Sequence, residues 1–317
     1  MSFSGEVKEE LAVHVGSARH CQLAELSAII HYCGRIEKNE QYGDILLLET
    51  ENEAVLRKCF TLLKKTFNID SLTGEKDDFQ SKQAVTVDKR TIILTDHDTV
   101  WEIFMALKVV DGQGVFHGFS EPVSSVLIKN ECCRRAFLRG VFLCIGSMSD
   151  PEKGYHLEMA ADTRSKAQQI KDVLRDFQIE AKIIMRKKYY VVYLKEGSCI
   201  VDFLNICGAH VSLMNLENLR IVKEMRNTIN RRVNCEAANI TKTVTAAAKQ
   251  IEDITRLRDQ YGLSNLPENL SEIAQVRLEH PDATLKELGL LLSPPVGKSG
   301  VNHRLRKLSE IAEGVRV

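Results

Sequence analysis

One tryptophan and six prolines in 317 residues, with aromatics at 6%, describe a chain poor in large rings and in helix breakers. Net charge is also missing, since 43 lysines and arginines face 43 acids. No apolar run approaches the roughly 20 residues that span a bilayer, so no membrane partner is expected. The start, MSFSGEVKEELA, carries acids and lacks an apolar signal core, which points to the cytoplasm. Nine cysteines include no CxxC pair, and an odd number in a chain of this size argues against a disulfide framework. His14, His20, Cys21, His31 and Cys33 cluster in sequence. Their spacing fits no usual zinc pattern, so they are read as small buried residues, and neither a metal nor another cofactor is expected.

The length suits two or three domains. The charge balance hides an asymmetry: residues 1–110 carry 13 Lys and Arg against 18 Asp and Glu, while residues 111–317 carry 30 against 25. An anionic partner should therefore meet the second part of the chain.

An internal repeat organises that length. QLAELSAIIHYCGRI reads as a helix, DILLLET as a strand, ENEAVLRKCFTLLKKTF as an amphipathic helix. A polar loop precedes the runs QAVTV and RTIILT, a hairpin turned by DK, and DTVWEIFMALKVV closes the unit as a helix. NECCRRAFLRGVFLCIGSM, with Asn130 as N-cap, begins the same order again: YHLEMA, TRSKAQQIKDVLRDF, the hairpin EAKIIMRKKYYVVYLK, and SCIVDFLNICG. Each copy thus reads helix, strand, helix, strand, strand, helix. The glycine-rich DGQGVFHGFSEP links them.

The stretch LRGVFLCIGSM, Leu138 to Met148, resembles the LAGLIDADG box of homing endonucleases. Gly140 and Gly146 stand at the box's two glycines. In an active enzyme the last acid of the box holds a divalent metal at the helix foot. Ile145 occupies that place here, and Leu143 the earlier acidic one. In the first copy Leu26, Ala28 and Gly34 match the packing residues, while Cys33 stands at the metal place and His31 at the earlier acid. Isoleucine ligates nothing and a lone cysteine suits a hard cation poorly, so metal-dependent cutting is expected to be lost. Cys33 and Ile145 lie 112 residues apart, each followed by the same order of elements, which favours a duplicated scaffold over a chance match.

Beyond Gly208 the chain turns helix-prone and locally basic, with seven Lys and Arg against two Glu from Arg220 to Lys249. YGLSNLPEN interrupts it, and a hinge is expected between Tyr261 and Asn269. The tail then offers a helix capped by Asn269 with Glu272, a second whose capping box is Thr284 with Glu287, and a third capped by Ser299. That is a helix-turn-helix arrangement. In the third helix Val301, Leu305, Leu308 and Ile311 form one apolar stripe. Ser299, Asn302, His303 and Arg306 then project oppositely, a face suited to the major groove, with Lys298, Arg304 and Lys307 near phosphates. A solvated basic helix in a packing domain is the plainer reading of the same residues.

Taken together, FSGEVKEELA, ECCRRAFLRGVFLCIGSMSDPEKGYHLEM, NRRVNCEAANITKT and GVNHRLRKL resemble the WhiA family along essentially the whole chain. The resemblance implies an α+β fold, a two-repeat LAGLIDADG-like domain followed by an all-α helix-turn-helix domain. It divides the chain into an N-terminal helix (1–21), first repeat (22–110), linker (111–129), second repeat (130–208), basic helical connector (209–262) and DNA-binding domain (263–317). It further implies a cytoplasmic, nucleoid-associated regulator without nuclease activity. Such a protein would bind double-stranded promoter DNA, act in cell division, chromosome organisation or sporulation, and take another transcription regulator as a partner. Arg231 and Arg232 of the connector are secondary nucleic-acid candidates. So are Arg186, Lys187 and Lys188 of the second hairpin, although its alternation also fits an ordinary half-buried strand. An active LAGLIDADG-type endonuclease and a protein-interaction scaffold remain the competing functions.

Overall fold

In the computed structural model the described residues are 2–39, 43–69, 85–88, 90–110, 113, 115, 116 and 118–314. The polar loop before the first hairpin, Lys89 of its turn and parts of the glycine-rich linker lie outside them. The chain forms two compact units, residues 1–222 and 223–317.

The first unit opens with α1 (Phe3–Val13), whose first turn is capped by the Ser2 side chain. The repeat follows twice. The first copy comprises α2 (Arg19–Cys33), β1 (Gly34–Asn39), β2 (Gly43–Glu49), α3 (Glu53–Phe67), β3 (Val85–Asp88), β4 (Thr91–Leu94) and α4 (His97–Ala106). The second comprises α5 (Glu131–Ile145), β5 (Gly146–Met148), β6 (Leu157–Ala161), α6 (Arg164–Asp176), β7 (Lys182–Arg186), β8 (Tyr189–Leu194) and α7 (Gly197–Cys207). Both sheets are antiparallel and share one topology, β1-β2-β4-β3 and β5-β6-β8-β7.

Each copy has one strand more than the sequence pattern suggested. Immediately after each box helix the glycine turns extended, Gly34 at φ −88°, ψ 145° and Gly146 at φ −79°, ψ 145°, and opens an edge strand. β1 carries Arg35, Glu37 and Lys38, so it shows little of the apolar alternation that reveals a strand. Asn130 stands at the N-cap of α5 but its side chain makes no capping bond there.

α2 and α5 cross at close range, and Gly140 permits it. A Cβ there would lie 2.6 Å from the Glu25 carbonyl oxygen and 2.9 Å from the Ala28 Cβ. Apolar cores flank the pair: Leu26, Ile30, Leu46, Leu62 and Phe104 on one side, Phe137, Phe142, Leu157, Val192 and Phe203 on the other. Val7 and Leu11 of α1 join the second core, and Met148 N–H donates to Ser4.

Between the cores sits a buried ionic triad. Glu25 receives Lys58 Nζ at 2.9 Å and Arg139 Nε at 3.1 Å. Lys58 also donates to the carbonyls of Leu11 and His14, and Arg139 to that of Cys207. One carboxylate thereby gathers α1, α2, α3, α5 and the end of α7. Every buried charge in it has a partner, which burial of ions requires.

α8 (His210–Gln260) begins in the first unit, and its N-terminus is capped from far away. Glu10 accepts bonds from the backbone N–H of Val211 and Ser212, at 2.8 and 2.9 Å, and from the Ser212 hydroxyl. A carboxylate at a helix N-terminus satisfies orphan donors and opposes the positive end of the dipole. In the second unit Ile254 and Leu257 of α8 pack with α9 (Glu268–Glu279), α10 (Leu285–Leu291) and α11 (Lys298–Gly314) in a third core. No helix among the described residues is long and apolar enough to cross a membrane.

Candidate nucleic-acid interface

α9, α10 and α11 pack as a helix-turn-helix trio. The capping box at α10 forms as expected: Glu287 N–H donates to the Thr284 hydroxyl and Thr284 N–H to the Glu287 carboxylate. Those bonds hold the Glu287 carboxyl below its usual range. The turn after α10 folds back tightly, Val296 N–H donating to the Gly289 carbonyl at 2.8 Å. A Cβ on Gly289 would run into the Val296 carbonyl oxygen, so only glycine lets the turn lie on α10.

The other two caps differ from the sequence reading. α9 starts at Glu268 behind Pro267, with no side-chain cap, so Asn269 lies inside the helix. Glu272 turns instead to the following segment, accepting from Ser293 N–H at 2.8 Å. α11 begins at Lys298, two residues earlier than a Ser299 cap requires, with Val301 N–H bonded to the Gly297 carbonyl.

Along α11, Val301, Leu305, Leu308 and Ala312 are buried. Lys298, Ser299, Asn302, His303, Arg306 and Lys307 are all exposed. From Lys298 to Lys307 the face is polar, carries three cations and contains no acid; the exposed Glu310 and Glu313 follow further along the helix. Its first turn, with Leu285 of α10, lines a shallow open groove through Lys298, Ser299 and Asn302. Arg304 does not share that face. Its guanidinium lies 3.7 Å from Glu272 and donates to the Asn269 carbonyl at 3.4 Å, with the side chain 22% exposed. It braces α11 against α9, and sequence periodicity alone does not reveal that.

The secondary candidates are dispersed. Arg231 and Arg232 are exposed on α8, and Arg232 pairs with Glu236 at 3.0 Å. In the second hairpin Val191, Val192 and Leu194 are buried while Met185 and Tyr189 are exposed, the half-buried pattern. Arg186 pairs with Glu158 at 3.2 Å; Lys187 sits in the turn at φ 54°, and Lys188 lies over the Tyr189 ring.

At the feet of α2 and α5 the former metal places are Cys33 and Ile145. Cys144 meets Cys33 there, and burial pushes its thiol up so that it stays protonated. Lys8, whose pKa burial lowers, lines the same cleft as Tyr32, Cys33 and Cys144. Lys166 donates to the His31 carbonyl at 2.9 Å and pairs with Asp162 at 2.9 Å. The thiol at Cys33 and the side chain of Ile145 do not suit a hard divalent cation, which needs oxygen ligands; Glu49 and Glu51 line the same cleft, and Glu49 pairs with Arg35 at 2.9 Å. At the opposite end of the same helix pair, His20 and Cys21 meet Cys132 and Cys133. The reading of the histidine–cysteine run as buried residues holds for His31 and fails for His14 and His20, which are exposed.

Comparison with known proteins agrees with this arrangement. The family described as WhiA N-terminal LAGLIDADG-like domain matches residues 19–76, the WhiA LAGLIDADG-like domain residues 134–226, and the WhiA C-terminal HTH domain residues 229–312. A "Probable cell division protein WhiA" of Lachnoclostridium phytofermentans is 50% identical over the full length of both chains. One of the same description from Alkaliphilus oremlandii is 47% identical, covering 98% of this chain and 97% of its own. The crystal structure of full-length DUF199/WhiA from Thermatoga maritima aligns with a TM-score of 0.57 at 28% identity, over 99% of this chain and 98% of that one. The chain belongs to the WhiA family, with two degenerate LAGLIDADG-like repeats ahead of a C-terminal helix-turn-helix.

Proposed function

We propose that this chain is a sequence-specific, double-stranded-DNA-binding regulator acting in bacterial cell division, and that its LAGLIDADG-like unit does not cut DNA. The observation that carries the reading is the acid-free stretch Lys298 to Lys307 on the outer face of α11, ahead of Glu310 and Glu313. Lys298, Ser299, Asn302, His303, Arg306 and Lys307 are all exposed on it, with the apolar stripe fixing the helix's rotation. Arg306 can donate two hydrogen bonds to one guanine in the major groove, whereas Lys298 and Lys307 neutralise phosphates. The description of both relatives as probable cell division proteins supports the cell-division assignment. The thiols and cations at Cys33, Cys144, Lys8 and Lys166 support the absence of a nuclease centre.

Duplexes selected from genomic fragments by the purified chain provide the specific sites for the test. Arg306→Ala should lose about 1–3 kcal/mol of discrimination between those sites and scrambled duplexes. Lys298→Ala should weaken both alike and lower the salt slope by about one. Wild-type binding by both variants would remove α11 as the reading head and move attention to Arg231 and Arg232. Incubation of the same duplexes with Mg²⁺ or Mn²⁺ should leave them intact. EDTA-sensitive double-strand cleavage, absent from a point variant, would overturn the non-enzymatic reading.

A further inference from the structure

The repeat offset that relates Cys33 to Ile145 also relates His20 to Cys132 and Cys21 to Cys133, 112 residues in each case. Both dipeptides lie in the first turn of their helices, α2 and α5, which cross at Gly140. The pseudo-twofold relation therefore brings the two dipeptides face to face. His20 Nδ1 lies 3.2 Å from Cys133 Sγ, 3.4 Å from Cys21 Sγ and 3.9 Å from Cys132 Sγ. All four ligand atoms fall within 4.8 Å of one another.

From this geometry we infer a tetrahedral Cys3His zinc site that joins the two repeats at the N-terminal ends of α2 and α5. Zinc bonds of about 2.3 Å to sulfur and 2.0–2.1 Å to nitrogen make tetrahedral edges of about 3.6–3.8 Å. The three nitrogen–sulfur separations bracket that edge, so closure needs only small side-chain adjustments. Three thiolates and one neutral imidazole around Zn²⁺ carry a net charge of −1, and binding releases three protons. That anion faces the positive ends of two helices, neither of which has a side-chain cap. A soft donor set of this kind selects zinc over magnesium or calcium. Packing alone explains Cys133, which is buried beside Ala24 and Ala136. It does not explain the exposed His20 and Cys132. α2 has 15 residues, so the site stands about 20 Å along the helix pair from the emptied nuclease position at its foot. Each end would then have one ligand set drawn symmetrically from the two copies, thiol-rich at one and lost at the other.

The full chain, purified untagged under reducing anaerobic conditions, should carry one zinc per molecule by plasma mass spectrometry. After chelation, Co²⁺ should restore the ligand-field bands of a tetrahedral ion together with thiolate-to-metal charge transfer. Outer-shell changes alone cost 10–100-fold in affinity, so Cys132→Ser and His20→Ala should each weaken zinc by more than about 100-fold. Cys33→Ser and Cys235→Ser should leave affinity unchanged. The cobalt spectrum is read on the unmutated chain, so a variant that fails to fold does not remove the test. Zinc below 0.1 equivalent (roughly background) with no tetrahedral cobalt spectrum would overturn the site. So would a Cys21–Cys132 or Cys21–Cys133 disulfide found by mass mapping of that reduced preparation, or equal loss of zinc in the Cys33→Ser control.

Discussion

Glu25→Gln is the sharpest probe of how the two repeats are held together. The substitution changes one oxygen to an amide nitrogen and leaves no cavity, so packing is preserved and only the charge is removed. What remains is Lys58, whose side chain is 0% exposed, and Arg139, at 7%, two cations with no counter-ion. Burial already lowers the Lys58 pKa against the opposing pull of Glu25. Loss of one partner from a buried ion pair costs about 3–5 kcal/mol, chiefly through the charge left behind. The exposed pair Arg135–Glu131 gives the comparison: its side chains are 42% and 62% exposed, and Glu131→Gln should cost less than about 0.5 kcal/mol. Urea unfolding followed by the emission of Trp101, the single tryptophan and a residue of α4 in the same unit, reads both. With a slope of about 2 kcal/mol/M, Glu25→Gln should move the midpoint down by about 1.5–2.5 M. Replacing the whole triad with apolar side chains of similar volume, Glu25→Leu, Lys58→Met and Arg139→Met in one chain, should recover most of that loss. Equal shifts for Glu25→Gln and Glu131→Gln would refute the claim that the buried cations depend on Glu25.

Gly140→Ala gains about 1 kcal/mol of helix propensity but forces a methyl within 2.6 Å of the Glu25 carbonyl oxygen. Over-packing of about 1–3 kcal/mol should prevail; a higher melting temperature than wild type would show that the helices separate freely. Burial pushes the His31 imidazole down to about 4 from 6.5, with Nδ1 2.7 Å from the Ser27 carbonyl. The unfolded chain takes up this proton below pH 6.5 while the folded chain resists. Stability is therefore full above pH 6.5 and falls by about 3 kcal/mol as pH drops through 4. His31→Asn should flatten the stability profile across that window, and an unchanged slope would discard the assignment. Arg304→Ala should lower the stability of the second unit by about 1 kcal/mol with no change in the salt slope of DNA binding. A reduced slope would place Arg304 at phosphate instead.

The duplicated scaffold was legible because its signals are local and repeated: a glycine at the end of each box helix, an apolar stripe, the same sequence of periodicities. The Thr284–Glu287 box was legible for the same reason. Edge strands β1 and β5 were missed because a polar or three-residue strand has little alternation to read. The caps expected at Asn269 and Ser299 do not form; at α9 the cause is tertiary, and it draws in Arg304 as well. Glu272 is in demand from Ser293 and Arg304, and tertiary demand overrode a plausible local pairing. The His20–Cys21–Cys132–Cys133 cluster escaped because zinc spacing was sought within one segment. Applying the 112-residue offset to the two dipeptides would have found it.

The bond from Glu10 to Val211 and Ser212 has a consequence for synthesis. α1 is made first, yet the helix end that it caps is made about two hundred residues later. At about 5–20 residues per second a ribosome takes about 10–40 s to travel between them. Through that interval Val7 and Leu11 wait for a core whose Phe203 and Leu216 do not exist yet. Chains released early, before α8 begins, should keep a sticky N-terminal helix exposed, making them clients for chaperones and proteases rather than shortened working proteins.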